Sequence, residues 1–553
     1  MTEDEKLHRL FERVFDTEME HSPVQATFVG YKHEKHDHLL PDGSAKAFEA
    51  TIARLRQYKE EVQTEIDYEA LTEEGKLDYD LVLHFLEYTL FDMTEIADWR
   101  SGHPFGSSGP IGGIGNAVFP LYTRDFAPLE TRVKAIIGRL KRTPQFLEET
   151  KTLWQSPVKL WTQLAIEEGP MTVGFLQLIQ HTLKPQLDAT LHKELEEAIG
   201  AASEAINKYV EWLKSDVLPR STHDWVLGAA KFVKLIELRR LGKTPQEILA
   251  LGQQAFDDTK ETLAKLAEEL HPGKSVKEVR ELITRDHPLS FDEILQHIAN
   301  LTKEARAFII AHNLMDVPEN ESIRVVPTPS FLTPIIPTAA YLSPEIFSPK
   351  QEGQYWVTIT EGSEERLKAH SRAGSKNTAV HEAYPGHHLQ IVSANLQPNL
   401  IRKITSMVAH ETVEGWAHYC EQLMAEKGFL GKTEVFMQLA GQLFRAMRII
   451  IDIKLHTGQM TIDEAKAFMI EETGMLENIA VAELNRYTST PSYPLSYLLG
   501  KLMLLELRDE IQSQMGDQYS DQFFHNTILH SGGIPIHFLR KLFQLRIAQL
   551  AKD

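Results

Sequence analysis

Over the first hundred residues apolar side chains recur at intervals of three and four. Leu7, Leu10, Phe11 and Val14 form one such row, and Tyr79, Leu83, Leu86 and Leu90 another, with polar neighbours between them. That period lays a single apolar stripe along an α-helix. The same texture runs from 125 to 315, where Thr244-Pro245-Gln246-Glu247 and Ser290-Phe291-Asp292-Glu293 read as capping boxes, the first with Pro at the first helical position. His271-Pro272-Gly273 ends one of these helices. Between them, residues 101–118 are rich in glycine and read as a loop. Gly113-Ile114-Gly115 invites a dinucleotide-binding reading, but Val118 stands where the third glycine belongs and no β-rich run leads in.

The texture changes between about 320 and 362. Ile323 to Val326 and Tyr355 to Thr360 are β-branched and aromatic runs, and Pro327, Pro329, Pro334, Pro337 and Pro344 punctuate the stretch. These predict a small sheet. After 400 the helical period returns, with a capping box at Thr461-Ile462-Asp463-Glu464, a helix over 495–515 and a last amphipathic helix near 535–551. Arg486-Tyr487 and the stretch from Tyr493 to Tyr497 are expected in a Pro-broken connection before the 495–515 helix. The fold class expected is mainly α with a small β-sheet, residues 1–315 forming a helical N-terminal region and 316–553 a catalytic region, the two together making one continuous unit.

The polar residues that this periodicity does not explain gather in one place. Val380-His381-Glu382-Ala383-Tyr384-Pro385-Gly386-His387-His388-Leu389-Gln390 sets three histidines and a carboxylate on an apolar frame broken by Pro-Gly. A hydrolytic zinc ion takes three protein ligands and keeps a position for water, and a carboxylate that is not a ligand takes the water's proton. His381 and Glu382 suit the first ligand and the base. In H-E-x-x-H the second histidine comes one helical turn later, and here that position is Pro385.

On a straight helix His387 would lie about 9 Å along the axis from His381 and about 120° round it, so one ion could not join them. Pro385 has no N–H for the His381 carbonyl, and Gly386 tolerates unusual backbone angles, so a regular helix is not expected to pass through. A two-residue bulge would bring His387 to the ion. His388 is the alternative ligand, or else acts from behind the first.

The third ligand is expected on a helix over Ser406–Glu421, which carries His410, Glu414 and His418 in one row at steps of four. Glu414 is the choice, with Glu411 or Glu421 as alternatives; His410 and His418 read as supporting or ordinary helix-face residues. One zinc ion per chain fits this N,N,O set, with Mn, Co and Fe left open beside it.

Composition narrows the class without changing this picture. The chain has 553 residues, 42% hydrophobic and 25% charged, as in ordinary globular proteins. A net charge of −20 disfavours nucleic acid and anionic membrane as partners. Cys420 is the single cysteine, so no intrachain disulfide or thiolate zinc cluster can form. The charged N-terminus shows no secretory signal and no stretch approaches a membrane span, so a cytoplasmic enzyme is expected. Nothing here sets an oligomeric state.

With the H-E-x-x-P-G-H-H segment (His381 to His388), E-G-W-A-x-Y-x-E (Glu414 to Glu421), R-Y-x-x-x-P (Arg486 to Pro491) and S-Y-x-x-G (Ser496 to Gly500), the chain resembles the DUF885 family. Members of that family are regarded as helical zinc metallopeptidases, similar to the gluzincin side of the H-E-x-x-H peptidases. The resemblance covers roughly 320–540 and includes Phe524-His525, Gly532-Gly533 and Pro535. It implies a metal-dependent hydrolase of short peptides, with Tyr497, Tyr487 and Arg486 as candidate donors to the oxyanion and Glu382 as general base. The chain departs from the family pattern after Arg486-Tyr487, where Pro491-Ser492-Tyr493-Pro494 stands for a P-G-Q-A-like run. Two other functions fit the same residues: a hydrolase or lyase acting on a small non-peptide amide, and a catalytically silent metal-binding interaction protein. Retention of Glu382 speaks against silence, since a structural zinc site is expected to have four protein ligands and no base.

Overall fold

The computed structural model describes residues 1–102, 109–329, 336, 338–358 and 367–550. The described chain is mainly helical with one three-stranded sheet, and it divides into two compact units. No helix among the described residues is long and apolar enough to cross a membrane.

The first unit comprises Met1–Asp67, Leu86–Val226 and Glu345–Phe347. Its first helix, Glu3–His21, buries the expected row Leu7, Leu10, Phe11 and Val14, whereas of the second expected row only Leu86 is buried. The glycine-rich stretch corrects the sequence reading. Pro110 opens a helix, Pro110–Thr123, that runs through Gly113 and Gly115 and buries Ile111, Ile114, Ala117, Val118 and Leu121. Each interior glycine costs a helix about 1 kcal/mol, but an apolar row at this spacing outweighs that once it is buried. One of the glycines has a packing reason: a Cβ at Gly112 would sit 2.5 Å from the Glu168 carboxylate. Residues 103–108 of the expected loop lie outside the described residues.

The second unit comprises Tyr68–Phe85, Leu227–Pro344 and Ser348–Asp553, so position 315/316 falls inside it. It contains the sheet: β1 (Glu321–Pro327), β2 (Ala339–Leu342) and β3 (Gln351–Val357) in the order β1-β3-β2. β1 runs parallel and β2 antiparallel to β3, with Val325 and Tyr341 both opposite Tyr355. Central β3 is buried at Tyr355, Trp356 and Val357, as a strand with neighbours on both sides should be. It starts earlier than expected; Ile359 and Thr360 lie outside the described residues.

Numbering only the helices that build the site, α1 is Val276–Thr284, α2 Arg372–Glu382, α3 His387–Asn395, α4 His410–Glu426, α5 Lys432–His456, α6 Glu477–Ser489 and α7 Ser496–Met515. Thr244 and Thr461 form full capping boxes, whereas Ser290 caps Glu293 N–H and the Glu293 carboxylate turns to Leu289 N–H instead. The helix expected from Ser406 is split: a 3-10 turn over Ser406–Val408, then α4 from His410. Arg486 and Tyr487 belong to α6, not to a connection, because the chain stays helical to Ser489 before Pro491 and Pro494 break it.

Candidate metal centre

α2 ends where the sequence removes its hydrogen bonds. Ala383 N–H still reaches Ala379 O at 2.9 Å, but Pro385 has no N–H to offer, and Gly386 N–H reaches back to Val380 O at 3.0 Å. The Tyr384–Pro385 peptide is cis. Gly386 lies so close to the end of α2 that a Cβ there would meet His381 O at 1.9 Å. α3 then begins at His387. The bonds that bridge the break, Gly386 N–H to Val380 O and Leu389 N–H to Ala383 O at 3.4 Å, span six residues where a helix spans four. α3 therefore follows α2 with two extra residues looped out, the bulge expected from the sequence, and His387 comes beside His381.

α4 carries Glu414 to the same point. Its Oε2 lies 3.4 Å from His387 Nε2 and 4.0 Å from His381 Nε2, and the three donor atoms all fall within 4.8 Å of one another. Ligands of a tetrahedral zinc ion at about 2.0–2.1 Å are roughly 3.3 Å apart, so the set is near the spacing an ion would need and slightly wider. One buried atom supports the fit: Glu414 Oε2 has no hydrogen-bond partner. Buried polar atoms are normally satisfied, and an unpaired carboxylate oxygen facing two imidazoles is what a cation would satisfy.

The surrounding groups fix these side chains. Glu414 Oε1 accepts from Tyr493 O–H at 2.6 Å. His381 Nδ1–H donates to Glu421 Oε1 at 2.8 Å, which leaves Nε2 as the free donor atom. Glu421 is fully buried and held by Arg445 at 3.1 Å and Asn377 at 3.1 Å. A carboxylate behind a ligand imidazole sets its tautomer and raises its basicity. Burial alone would push the Glu414 carboxyl up, but neighbouring His387, the charge of His381 and the Tyr493 hydroxyl outweigh it and hold the group well below the usual carboxylate range. The reverse holds for His387, which burial would lower and Glu414 raises.

His388, the alternative ligand, has both ring nitrogens engaged elsewhere. Its Nε2–H donates to Glu321 at 2.7 Å and its Nδ1 accepts from Tyr341 O–H at 2.8 Å. Arg306 and Tyr384 also bind Glu321. Of the alternatives to Glu414, Glu421 supports His381, and Glu411 is buried against Arg239 at 2.8 Å. His410 packs edge-on to Tyr493, and His418 is buried beside Glu421. Cys420 is fully buried and its thiol is pushed well above the ordinary range by burial, which fits a packed side chain.

A cavity of about 870 Å³ opens over the cluster. Glu382, His381, His387 and Glu414 line it, as do Tyr497 and Tyr341. Arg486 and Tyr487 do not reach its wall. Both bind Glu483, and Tyr487 O–H also receives Arg448, so they brace Arg448, which does line the cavity.

Tyr493, Tyr341, Glu321 and Arg445 were missed as members of the site. Only Tyr493 had a local signal, through its place in the segment that departs from the family pattern. Ser492 there adopts φ +66°, a left-handed conformation that suits the glycine of the family run. Its N–H binds Asp452 at 3.1 Å.

The motifs prove to be one interlocked contact set. Gly415 and Gly500 face each other where α4 crosses α7: a Cβ on Gly500 would lie 2.0 Å from Glu411 O, and one on Gly415 would lie 2.5 Å from the Gly500 backbone. Trp416 Nε1–H donates to Pro385 O at 2.8 Å and so ties α4 to the bulge that positions His387. Tyr419 O–H pairs with His525 Nε2 at 2.8 Å, and Gly532, at φ +88°, packs on Arg402 O.

A family model described as "Bacterial protein of unknown function (DUF885)" matches residues 23–543. Among solved structures, the chain is similar to a presumed lipoprotein from Colwellia psychrerythraea, with a TM-score of 0.85 and 21% identity, covering 99% of this chain and 100% of that one. It is similar also to a presumed lipoprotein of unknown function from Shewanella oneidensis, with a TM-score of 0.78 and 21% identity, covering 98% and 99%. At that identity the likeness establishes the fold alone. Among curated proteins, none matches the chain.

Proposed function

The chain belongs to the DUF885 family, whose description carries no activity, and from that premise we propose that it is a metal-dependent hydrolase that cleaves amide bonds in short peptides. One observation carries the reading: His381, His387 and Glu414 converge with an unpaired Glu414 Oε2, and Glu382, the residue after one of them, faces the same cavity. Zinc is the ion proposed, with Mn, Co and Fe compatible with the donor set. When bound, such an ion makes water acidic and polarises a carbonyl.

The protein's residues would do the rest. Glu382 is placed in the cavity wall without being one of the three converging donors, so its carboxylate is available to take the proton of attacking water and pass it to the nitrogen of the leaving amine. Tyr497 O–H is the candidate donor to the oxygen on which charge develops. Ala339, Ala340 and Tyr341 of edge strand β2 line the cavity, and their strand offers backbone groups to an extended peptide. A volume near 870 Å³ is of the size that encloses a small ligand, which supports short peptides over folded proteins.

Glu382→Gln tests the assignment. It should keep metal stoichiometry near that of the parent and cut peptide turnover by at least ~10²-fold. Loss of the ion from that variant, or undiminished turnover, would show that Glu382 is not the base.

A further inference from the structure

The cationic side chains of the cavity are not all accounted for by the site. Arg445 pairs with Glu421 at 3.1 Å and Arg448 with Glu483 at 2.9 Å. Lys277 and Arg280 of α1 are different. Ser275 caps this helix, and Val279 and Ile283 anchor it in the interior. Lys277, Arg280, Glu281 and Thr284 therefore fall on one opposite stripe, at steps of three and four, and all four line the cavity. Among the described residues neither cation has an acidic partner. Arg280 donates one hydrogen bond, to Thr473 O at 3.2 Å, and the rest of its donor fork is left over. Glu281 shares the stripe and pairs with neither. Both side chains are solvent-exposed, so an incoming ligand can reach them.

In a chain of net charge −20, two neighbouring cations in a cleft with no ion-pair partner among the described residues suit a ligand that brings a negative charge. We propose that Lys277 and Arg280 form a subsite for a substrate carboxylate, at the α1 wall of the cavity that holds His381, His387 and Glu414. The guanidinium fork matches a carboxylate by two parallel N–H···O bonds, and the ammonium adds a point charge. A short peptide has two sources of that group, its free C-terminus and an acidic side chain. The proposal rests on the peptide-hydrolase reading and deepens it, since it makes the end of the substrate a determinant of binding.

The test uses zinc-loaded Glu382→Gln protein, so that binding is read by calorimetry without turnover. Three matched short peptides are compared: a free C-terminal acid, its C-terminal amide, and the amide with Glu as last residue. The acid should bind on the order of ten- to a hundredfold more tightly than the plain amide, the range for hydrogen bonds to charged groups. If the acidic-residue amide matches it, a side-chain carboxylate is accepted as well. Adding Lys277→Ala and Arg280→Ala should bring the preference to within about twofold, and Arg280→Lys should restore part of it. Equal binding of acid and amide, or a preference that survives the double substitution, overturns the subsite. Parental protein that cleaves the amide would in that case leave the hydrolase reading standing, whereas no binding and no cleavage of any of the three peptides removes both.

Discussion

Gly500 touches no candidate ligand, yet its replacement by alanine should weaken the metal site. The added Cβ would sit 2.0 Å from Glu411 O and 2.9 Å from Gly415 Cα, whereas ordinary contacts begin near 3.4 Å. About 1.4 Å of clearance is therefore missing on the Glu411 side, and backbone on both faces of the crossing leaves no flexible side chain to give way. α4 and α7 must separate or bend. Glu414 lies one turn beyond Glu411 on the same helix, and its carboxylate is now 3.4 Å from His387 Nε2. Even if half of the clearance is found elsewhere, a shift of roughly 0.7 Å exceeds the ~0.2 Å tolerance of a metal–ligand distance. Gly500→Ala should lower stability by ~1–3 kcal/mol, as overpacking does. It should also weaken zinc at least ~10-fold, as disturbed support of a ligand does. A chelator competition gives the affinity and denaturant melts of metal-free protein give the stability. Gly200→Ala is the control, since a Cβ there meets nothing within 4 Å in mid-helix, and it should gain ~0.5–1 kcal/mol with zinc affinity unmoved. Parental zinc affinity in Gly500→Ala would refute the coupling between this crossing and the site.

Three further outcomes follow from the contacts around the site. Tyr493→Phe keeps the ring against His410 but removes the hydroxyl on Glu414 Oε1, so zinc affinity in a competition titration should fall ~10–100-fold; an unchanged affinity would show that the phenol does not support the ligand. His388→Ala should retain the ion, because both ring nitrogens already bind Glu321 and Tyr341, while stability falls by ~1–3 kcal/mol for buried hydrogen-bond partners left unmet, Arg306 and Tyr384 still holding Glu321; stoichiometric loss of metal would make His388 a ligand after all. Asp452 is buried, and burial pushes its carboxyl from 3.8 up to about 8. The folded protein thus holds a proton on Asp452 that the unfolded chain releases above about 3.8, so this group takes stability away as pH rises through that window. Asp452→Asn should flatten the decline in melting temperature between pH 5 and 8, and parallel curves for the two proteins would contradict it.

The parts of the site that lie close together in sequence were legible there. His381, Glu382, Pro385, Gly386 and His387 carry the candidate ligands, the candidate base and the helix break within seven positions, and the row on α4 singled out Glu414, which the structure brings to His381 and His387. The two-residue bulge between α2 and α3 was legible as well, because Pro385 removes the hydrogen bond that a regular helix would need there and Gly386 tolerates the close approach. Pairings across long separations left no periodic trace: Tyr493 on Glu414, His388 on Glu321, Gly500 on Glu411. The glycine-rich stretch misled by residue type, since the row Ile111, Ile114, Ala117, Val118 and Leu121 was present beneath the glycines. β2 was missed because four residues with two alanines carry little β signal, yet Tyr341 within it reaches both His388 and the cavity. Arg486 and Tyr487 were read forward from Pro491, although proline limits a helix only near its own position.

The claim that His381, His387, Glu414 and Glu382 form a hydrolytic centre is met most directly by one digestion. Zinc-loaded protein is incubated with a library of short peptides and the products are identified by mass spectrometry, with and without a chelator, and again after zinc is restored. Cleavage that disappears with the chelator, returns with zinc and is absent from Glu382→Gln is the result expected. Intact peptides in the presence of stoichiometric zinc, or cleavage that the chelator leaves unchanged, would contradict it.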